Sequence, residues 1–410
     1  MSPPDRTAVV IGGGITGTLT AHELLRAGWA VTLLEAAHVG AGSSSRTAAG
    51  IRQQFSTRET VVGMRYSTRY YTEWLERVGG ELPPIQPNGY LFLHENPERW
   101  RQARRIAARQ REWGLTEVED LNAAEVAERF PYVDPEAILG GTWCPSDGFL
   151  RPEAVYNDAA AAVRRRGGAL RQNAAVIGAR HEGGRLVGVD TTKGLVEGDL
   201  FIDCTNAWTR RVGAILGGEP LSVAAVKRYL WFIERGGDMS GEALLKMPLT
   251  ITPSGAYCRP ENASSLMVGW AHETQDESED FVYEDQDAIE PDFFHKSGTD
   301  ARPVEAWMAL AEALPPIGEF AGVTATTAGF YGTTPDHNPY LDFDPRVSNL
   351  MRLVGFSGHG AMFGPFTARV AVALAEAGAS LAAVDVEGEL AELAAFRIGR
   401  DTAGGETMVI

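Results

Sequence analysis

One stretch limits the folds open to this chain more than any other: AVVIGGGITGTLTAHELLRAGWAVTLLEA, residues 8–36. An apolar strand (8–11), a glycine turn, a helix (15–27), Gly28 as its cap and a second strand (30–34) ending in Glu35 make one βαβ unit. Gly12, Gly14 and Gly17 have GxGxxG spacing. The first permits the tight turn, the second lets backbone approach a pyrophosphate, and the third allows helix and strand to pack closely. Ile15 and Thr16 open the helix, whose N-terminus then faces phosphate. Glu35, followed by Ala36, is placed to accept hydrogen bonds from both ribose hydroxyls and would repel a phosphorylated ribose. A bound dinucleotide is the expectation. NAD and FAD share an ADP half, so this unit alone leaves the choice between them open.

At 410 residues the chain exceeds what one compact domain usually holds, and two intertwined domains are expected. With 44% apolar and 22% charged residues it reads as a soluble globular protein. Thirty-seven basic against fifty-four acidic side chains leave −17, which argues against nucleic acid and keeps a cationic partner open. Cys144, Cys204 and Cys258 form no CxxC pair, so neither a disulfide framework nor a metal site is indicated, and a cytoplasmic setting is expected. Neither a removable leader nor a membrane segment is legible.

Directly after the ribose-binding acid comes GAGSSSRTAAGIRQQF, residues 40–55. A flexible Ser/Gly linker has little use for its ordered side chains. Gly42, Ser43, Ser44, Arg46, Ala49 and Gly50 are therefore read as a second cofactor-binding segment. Further on, residues 176–208 alternate apolar and polar positions around GG and KG turns, the pattern of a small antiparallel meander leading into a buried strand. GAYCRPENASSLMVGW reads as two strands around a polar turn, with Tyr257 and Arg259 on one face. TTPDHNP, starting at 333, is a turn. GFSGHGAMFGP, starting at 355, joins a buried strand (350–356) to a helix (365–375).

Together the βαβ unit, the serine-rich segment, DCTNAWT at 203–209, YCRP at 257–260, TTPDHNP and GFSGHG resemble the D-amino acid oxidase superfamily of FAD enzymes. The likeness is to the branch of sarcosine oxidase, dimethylglycine dehydrogenase and glycine oxidase, and covers most of the chain. It implies FAD as cofactor, with Val176, Thr205, Asn206 and Trp208 lining its adenosine side. Gly358, His359, Gly360, Ala361 and Met362 would then lie near the flavin, where a helix N-terminus stabilises the charge that collects on reduction. No cysteine falls in the C-terminal region where some relatives attach FAD, and the attachment histidine of others is absent from SSSRTAAG, so noncovalent FAD is expected.

The same resemblance matches Arg52 to an arginine that grips the substrate carboxylate, a task suited to a planar guanidinium, although an anionic cofactor group could claim it instead. Tyr257, Arg259 and His359 complete the candidate catalytic set, with Tyr331 and His272 as weaker candidates. Met362 and Met267 stand where monomeric sarcosine oxidases carry lysines that bind carboxylate and activate oxygen, which puts both sarcosine itself and fast reaction with oxygen in doubt. The acidic run 272–287 reads as a solvated loop, and 95–111 as an exposed helix.

The expected fold is mixed α/β: a Rossmann-like FAD-binding domain of glutathione-reductase type (1–85, 146–215 and 322–410) and a mixed-sheet substrate domain (86–145 and 216–321). The expected function is oxidation of the C–N bond of an amine or amino acid, a secondary amine foremost, by hydride transfer to flavin N5, with hydrolysis of the resulting imine. A D-amino acid or 2-hydroxy acid oxidase of the same superfamily, or a flavin-holding subunit of a larger complex, is the alternative. Oxygen or another electron acceptor completes the cycle, and an oligomer is left open.

Overall fold

A computed structural model describes residues 6–236, 239–270 and 302–408. The βαβ unit forms as Thr7–Ile11, Ile15–Arg26 and Ala30–Leu34. Gly28, at φ 85°, ends the helix: its N–H donates to the Leu25 carbonyl and that of Trp29 to Leu24, a Schellman closure that favours glycine. Both strands are apolar except for Thr7 and Thr32, as suits a parallel sheet covered on its two faces. In the six-stranded sheet the order is Tyr340–Phe343, Leu350–Val354, Leu200–Asp203, Thr7–Ile11, Ala30–Leu34, Ala169–Arg171, parallel except for the first pair. The meander runs through Val176–Glu182, Arg185–Thr191 and Gly194–Glu197.

Helix Gly360–Ala377 covers one face of this sheet and begins five residues before the expected start at Pro365. Proline removes one helical donor and crowds the preceding turn. The Ala361 carbonyl left without its partner accepts from the Tyr71 hydroxyl at 2.6 Å, and the Phe366 N–H donates to Ser67 Oγ at 3.2 Å, so the helix continues through the proline. The preceding strand ends at Val354 rather than at 356.

An eight-stranded sheet makes up the second layer, in the order Phe320–Thr333, Ala224–Arg235, Ser265–Trp270, Ala256–Pro260, Leu249–Ile251, Tyr90–His94, Gly140–Cys144, Glu119–Asn122. The one strand holding both Tyr257 and Arg259, Ala256–Pro260, lies inside this sheet and is buried. Pro97–Glu112 is the expected exposed helix. His272 and the acidic run 272–287 lie outside the described residues. Among those described, no helix is long and apolar enough to cross a membrane.

One buried charge network ties the first sheet to the segment that follows it. Arg352 Nε meets Asp203 at 3.0 Å, Nη1 meets Asp344 at 2.9 Å and Nη2 donates to Thr209 Oγ1 at 2.7 Å, all out of solvent. Removing the cation would strand two buried carboxylates. Arg352→Leu is expected to destabilise the fold by about 3–5 kcal/mol, measured by urea unfolding.

Candidate active site

A cavity of about 460 Å³ opens at the C-terminal ends of the parallel strands. Gly12, Gly14, Ile15 and Thr16 line its floor. Gly17 does not line it but sets its shape, since a Cβ there would stand 1.8 Å from the Gly12 carbonyl oxygen. The cap residue of the helix that begins at Ile15 is Gly14, which brings no side chain to the turn. Glu35 and Ala36 border the cavity as well, and the Glu35 oxygens accept from the N–H groups of Gly13 (2.7 Å) and Ala37 (2.8 Å), which fix the carboxylate in place. Each oxygen keeps a second lone pair for a hydroxyl donor.

The serine-rich segment is held over this floor by its own side chains. Ser44 Oγ accepts from the Ile15 N–H at 3.0 Å, and Ser43 Oγ donates to the Phe330 carbonyl at 2.6 Å. Gly42 lets Trp208 pass, because a Cβ would meet that ring at 3.2 Å. Arg46, Val176 and Thr205 line the same cavity. Asn206 lines it too and acts as a clasp: at φ 47° it presents Oδ1 to the N–H groups of Gly355 (3.0 Å) and Phe356 (3.3 Å). A glycine cradle, a helix start without a cap side chain of its own, and an anchored acid with no cation against it among the described residues suit the ADP half of FAD.

Residues 355–361 close the far end, and here the need for so little side chain becomes physical. Gly355 and Gly358 have φ of 84° and 88°, and a Cβ would meet Thr334 at 2.6 Å and Tyr331 at 2.5 Å respectively. Gly360 and Ala361 start the long helix against the cavity. Behind Gly358 and Tyr331, which both spaces share, lies a smaller cavity of about 40 Å³. Ala49, Gly50, Arg52, Tyr257, His359 and Met362 line it, joined by Tyr90 and Leu249.

Arg52 is fully buried, with its guanidinium 4.0 Å over the Phe55 ring and 3.2 Å from Nε2 of His359. Burial, reinforced by the Arg52 and His337 charges, holds His359 well below the usual imidazole range, so it is neutral. Burial raises the phenols of Tyr90, Tyr257 and Tyr331, keeping all three protonated. Arg52 is thus the one charged side chain among the described residues lining this space. Arg259 is elsewhere: it donates to the Ala48 carbonyl (3.0 Å) and Glu261 (3.0 Å) and lines neither cavity. Met267 packs in the apolar cluster with Tyr257 and Tyr90.

Tyr90 was not singled out by sequence, although the alternation of YLFLH turns it toward this space. Nor was Asp147, which accepts from the Gln53 N–H (2.8 Å) and from the side chains of Gln53 (3.0 Å) and Gln54 (3.2 Å).

The chain as a whole has known relatives. A family model described as FAD dependent oxidoreductase (DAO) matches residues 7–374. Over 370 residues the chain is 25% identical to mitochondrial sarcosine dehydrogenase of Homo sapiens, covering 88% of this chain and 39% of that protein, so it spans about two fifths of that relative's length. The crystal structure of L-proline dehydrogenase from P. horikoshii superposes with a TM-score of 0.79 at 25% identity, covering 94% of this chain and 96% of that one. Glycine oxidase from Geobacillus kaustophilus shares the fold, with a TM-score of 0.76 at 22% identity over 97% of this chain and 99% of its own.

Burial pushes the Asp147 carboxyl up to about 7, against the pull of the Gln53 and Gln54 hydrogen bonds and the Arg52 charge. Its value is raised on folding from 3.8, so stability is full below that pH and is lost as pH rises through about 7. Relative to Asp147→Asn, the native protein is expected to lose up to ~4 kcal/mol across that window, read by urea unfolding over a pH series.

Proposed function

The chain belongs to the DAO family of FAD dependent oxidoreductases, and from that premise we propose that it oxidises the C–N bond of a carboxylate-bearing amine, a secondary amine or N-substituted amino acid, to an imine that water hydrolyses. One observation carries this reading: Arg52, the one cation among the described residues lining the smaller cavity, faces a space otherwise lined by neutral phenols, a neutral imidazole, two hydroxyls and apolar groups. Such a space suits a substrate with one carboxylate and an amine that reacts uncharged.

In this reading the six-stranded sheet carries the cofactor and the eight-stranded sheet faces the substrate. Glu35, the helix start at Ile15, the 42–46 segment and residues 358–361 would hold FAD, which supplies the acceptor for the hydride equivalent leaving the substrate carbon. Attachment is noncovalent: Cys204, the cysteine that borders the larger cavity, sits against Gly12 and Gly17, and burial beside Asp203 holds its thiol well above the usual range and protonated.

Arg52 binds and orients the carboxylate through charge-assisted N–H donors. Tyr257 and Tyr331 line the same space, and their phenols would face the reacting carbon and nitrogen. Among the described residues lining the smaller cavity none is a carboxylate or a lysine, and His359 points Nε2 at Arg52, so no strong base waits for the amine proton. The amine therefore sheds its proton before it reacts, and the chain selects the neutral form.

Two outcomes follow for the FAD-loaded enzyme. Arg52→Ala is expected to raise KM for carboxylate-bearing amines roughly 100-fold in steady-state assays, whereas loss of flavin with unchanged KM would assign Arg52 to the cofactor. The rising limb of kcat/KM against pH is expected to follow the ionisation of each substrate amine, shifting when the substrate's own basicity is changed. A limb fixed across substrates would identify an enzyme group instead.

A further inference from the structure

A segment distant in sequence reaches Arg52. Glu406 is buried, and its carboxylate accepts from the N–H groups of Ser56 (2.9 and 3.1 Å) and Met408 (2.8 Å). Ser56 Oγ accepts from the Thr407 N–H at 3.0 Å, and the Glu406 N–H donates to the Asp336 carbonyl at 3.1 Å. Gly405 permits this approach, since a Cβ there would lie 2.2 Å from the Asp336 oxygen. These bonds bring Met408 against the apolar cluster of Tyr90, Phe92, Tyr257 and Met267. Its main-chain carbonyl accepts from Nη2 of Arg52.

The donors of Arg52 can be followed one by one. Nη1 donates to the Gln54 carbonyl, Nη2 faces both the Met408 carbonyl and His359 Nε2, and Nε is buried without a partner among the described residues. A carboxylate grips a guanidinium at two adjacent nitrogens, along either the Nε/Nη2 or the Nη1/Nη2 edge. Both edges include Nη2, and both of its hydrogens are engaged. Only one-point contact, through Nε, is on offer while Met408 stays in place.

We infer that Met408 and the segment 405–408 form a wall of the substrate site, and that the Met408 carbonyl competes with a substrate carboxylate for Nη2 of Arg52. The inference rests on the reading of Arg52 as the carboxylate-binding residue. Met408 is a positioning residue: it touches the guanidinium, and withdrawal of its carbonyl converts a one-point contact into a two-point grip. Substrates that bring a carboxylate displace it, and neutral analogues do not. Affinity for the anion is therefore lower than Arg52 alone would give, and the segment discriminates between ligands that repay its release and those that lack the charge.

The test uses FAD-loaded full-length protein titrated with benzoate and with benzamide, read by calorimetry and by perturbation of the flavin absorption band. Ser56→Ala, which loosens the segment without touching Arg52, is expected to tighten benzoate binding up to roughly tenfold and to leave benzamide binding unchanged; Glu406→Ala is expected to tighten it further, because it also removes a negative charge that acts on Arg52. In the unmodified protein, saturating benzoate is expected to speed amide hydrogen–deuterium exchange at Thr407 and Met408, a measurement that needs no variant. Benzoate affinity that is unchanged or weaker in both variants, or exchange that does not respond to benzoate, overturns the inference. If instead Arg52→Ala in the Glu406→Ala background binds benzoate as well as its parent does, the assignment of Arg52 itself is what fails.

Discussion

A Cβ at residue 17 would stand 1.8 Å from the carbonyl oxygen of Gly12, and one at residue 12 would stand 2.8 Å from that of Cys204. The helix start, the turn after the first strand and the end of the strand Leu200–Asp203 therefore meet backbone to backbone. That contact fixes where the helix N-terminus points. It also brings the Gly13 N–H onto Glu35 and leaves Asn206, just past Cys204, able to clasp the backbone of Gly355 and Phe356. Widening it by one methyl group would move every border of the larger cavity at once.

The smaller cavity depends on a different economy, that of charge out of water. Arg52 is held there by carbonyl oxygens, aromatic faces and a neutral imidazole, with no carboxylate in direct contact among the described residues. A buried cation so solvated stays unneutralised and keeps its attraction for an anion. The phenols around it add polarity without adding charge.

Much of this was legible in the sequence because it obeys local rules. GxGxxG spacing, Gly28 and Glu35 placed the first βαβ unit to within a residue or so, since turn, cap and strand each need particular residue types. The glycines at 355 and 358 announced a junction without side chains. What stayed hidden is non-local. Pro365 suggested a helix start, and partners far away in the chain, the hydroxyls of Tyr71 and Ser67, let the helix begin at Gly360 instead. Arg259 shares a strand face with Tyr257, yet its pairing with Ala48 and Glu261 takes it away from the cavities. No pattern in GGETM hints that Met408 meets Arg52, because a backbone carbonyl carries no residue-type signature.

The pairing of Ala8 with Leu200, and of Phe201 with Leu350, means that the central strand of the first sheet acquires its neighbours in steps separated by long loops. Closing such loops costs entropy before any contact repays it, so assembly of this sheet is slow and leaves apolar strand edges exposed for a time. A ligand that binds across the completed junction stabilises only the finished form. The prosthetic group would thereby serve the chain twice, as reagent and as a latch that shifts the balance toward the finished form.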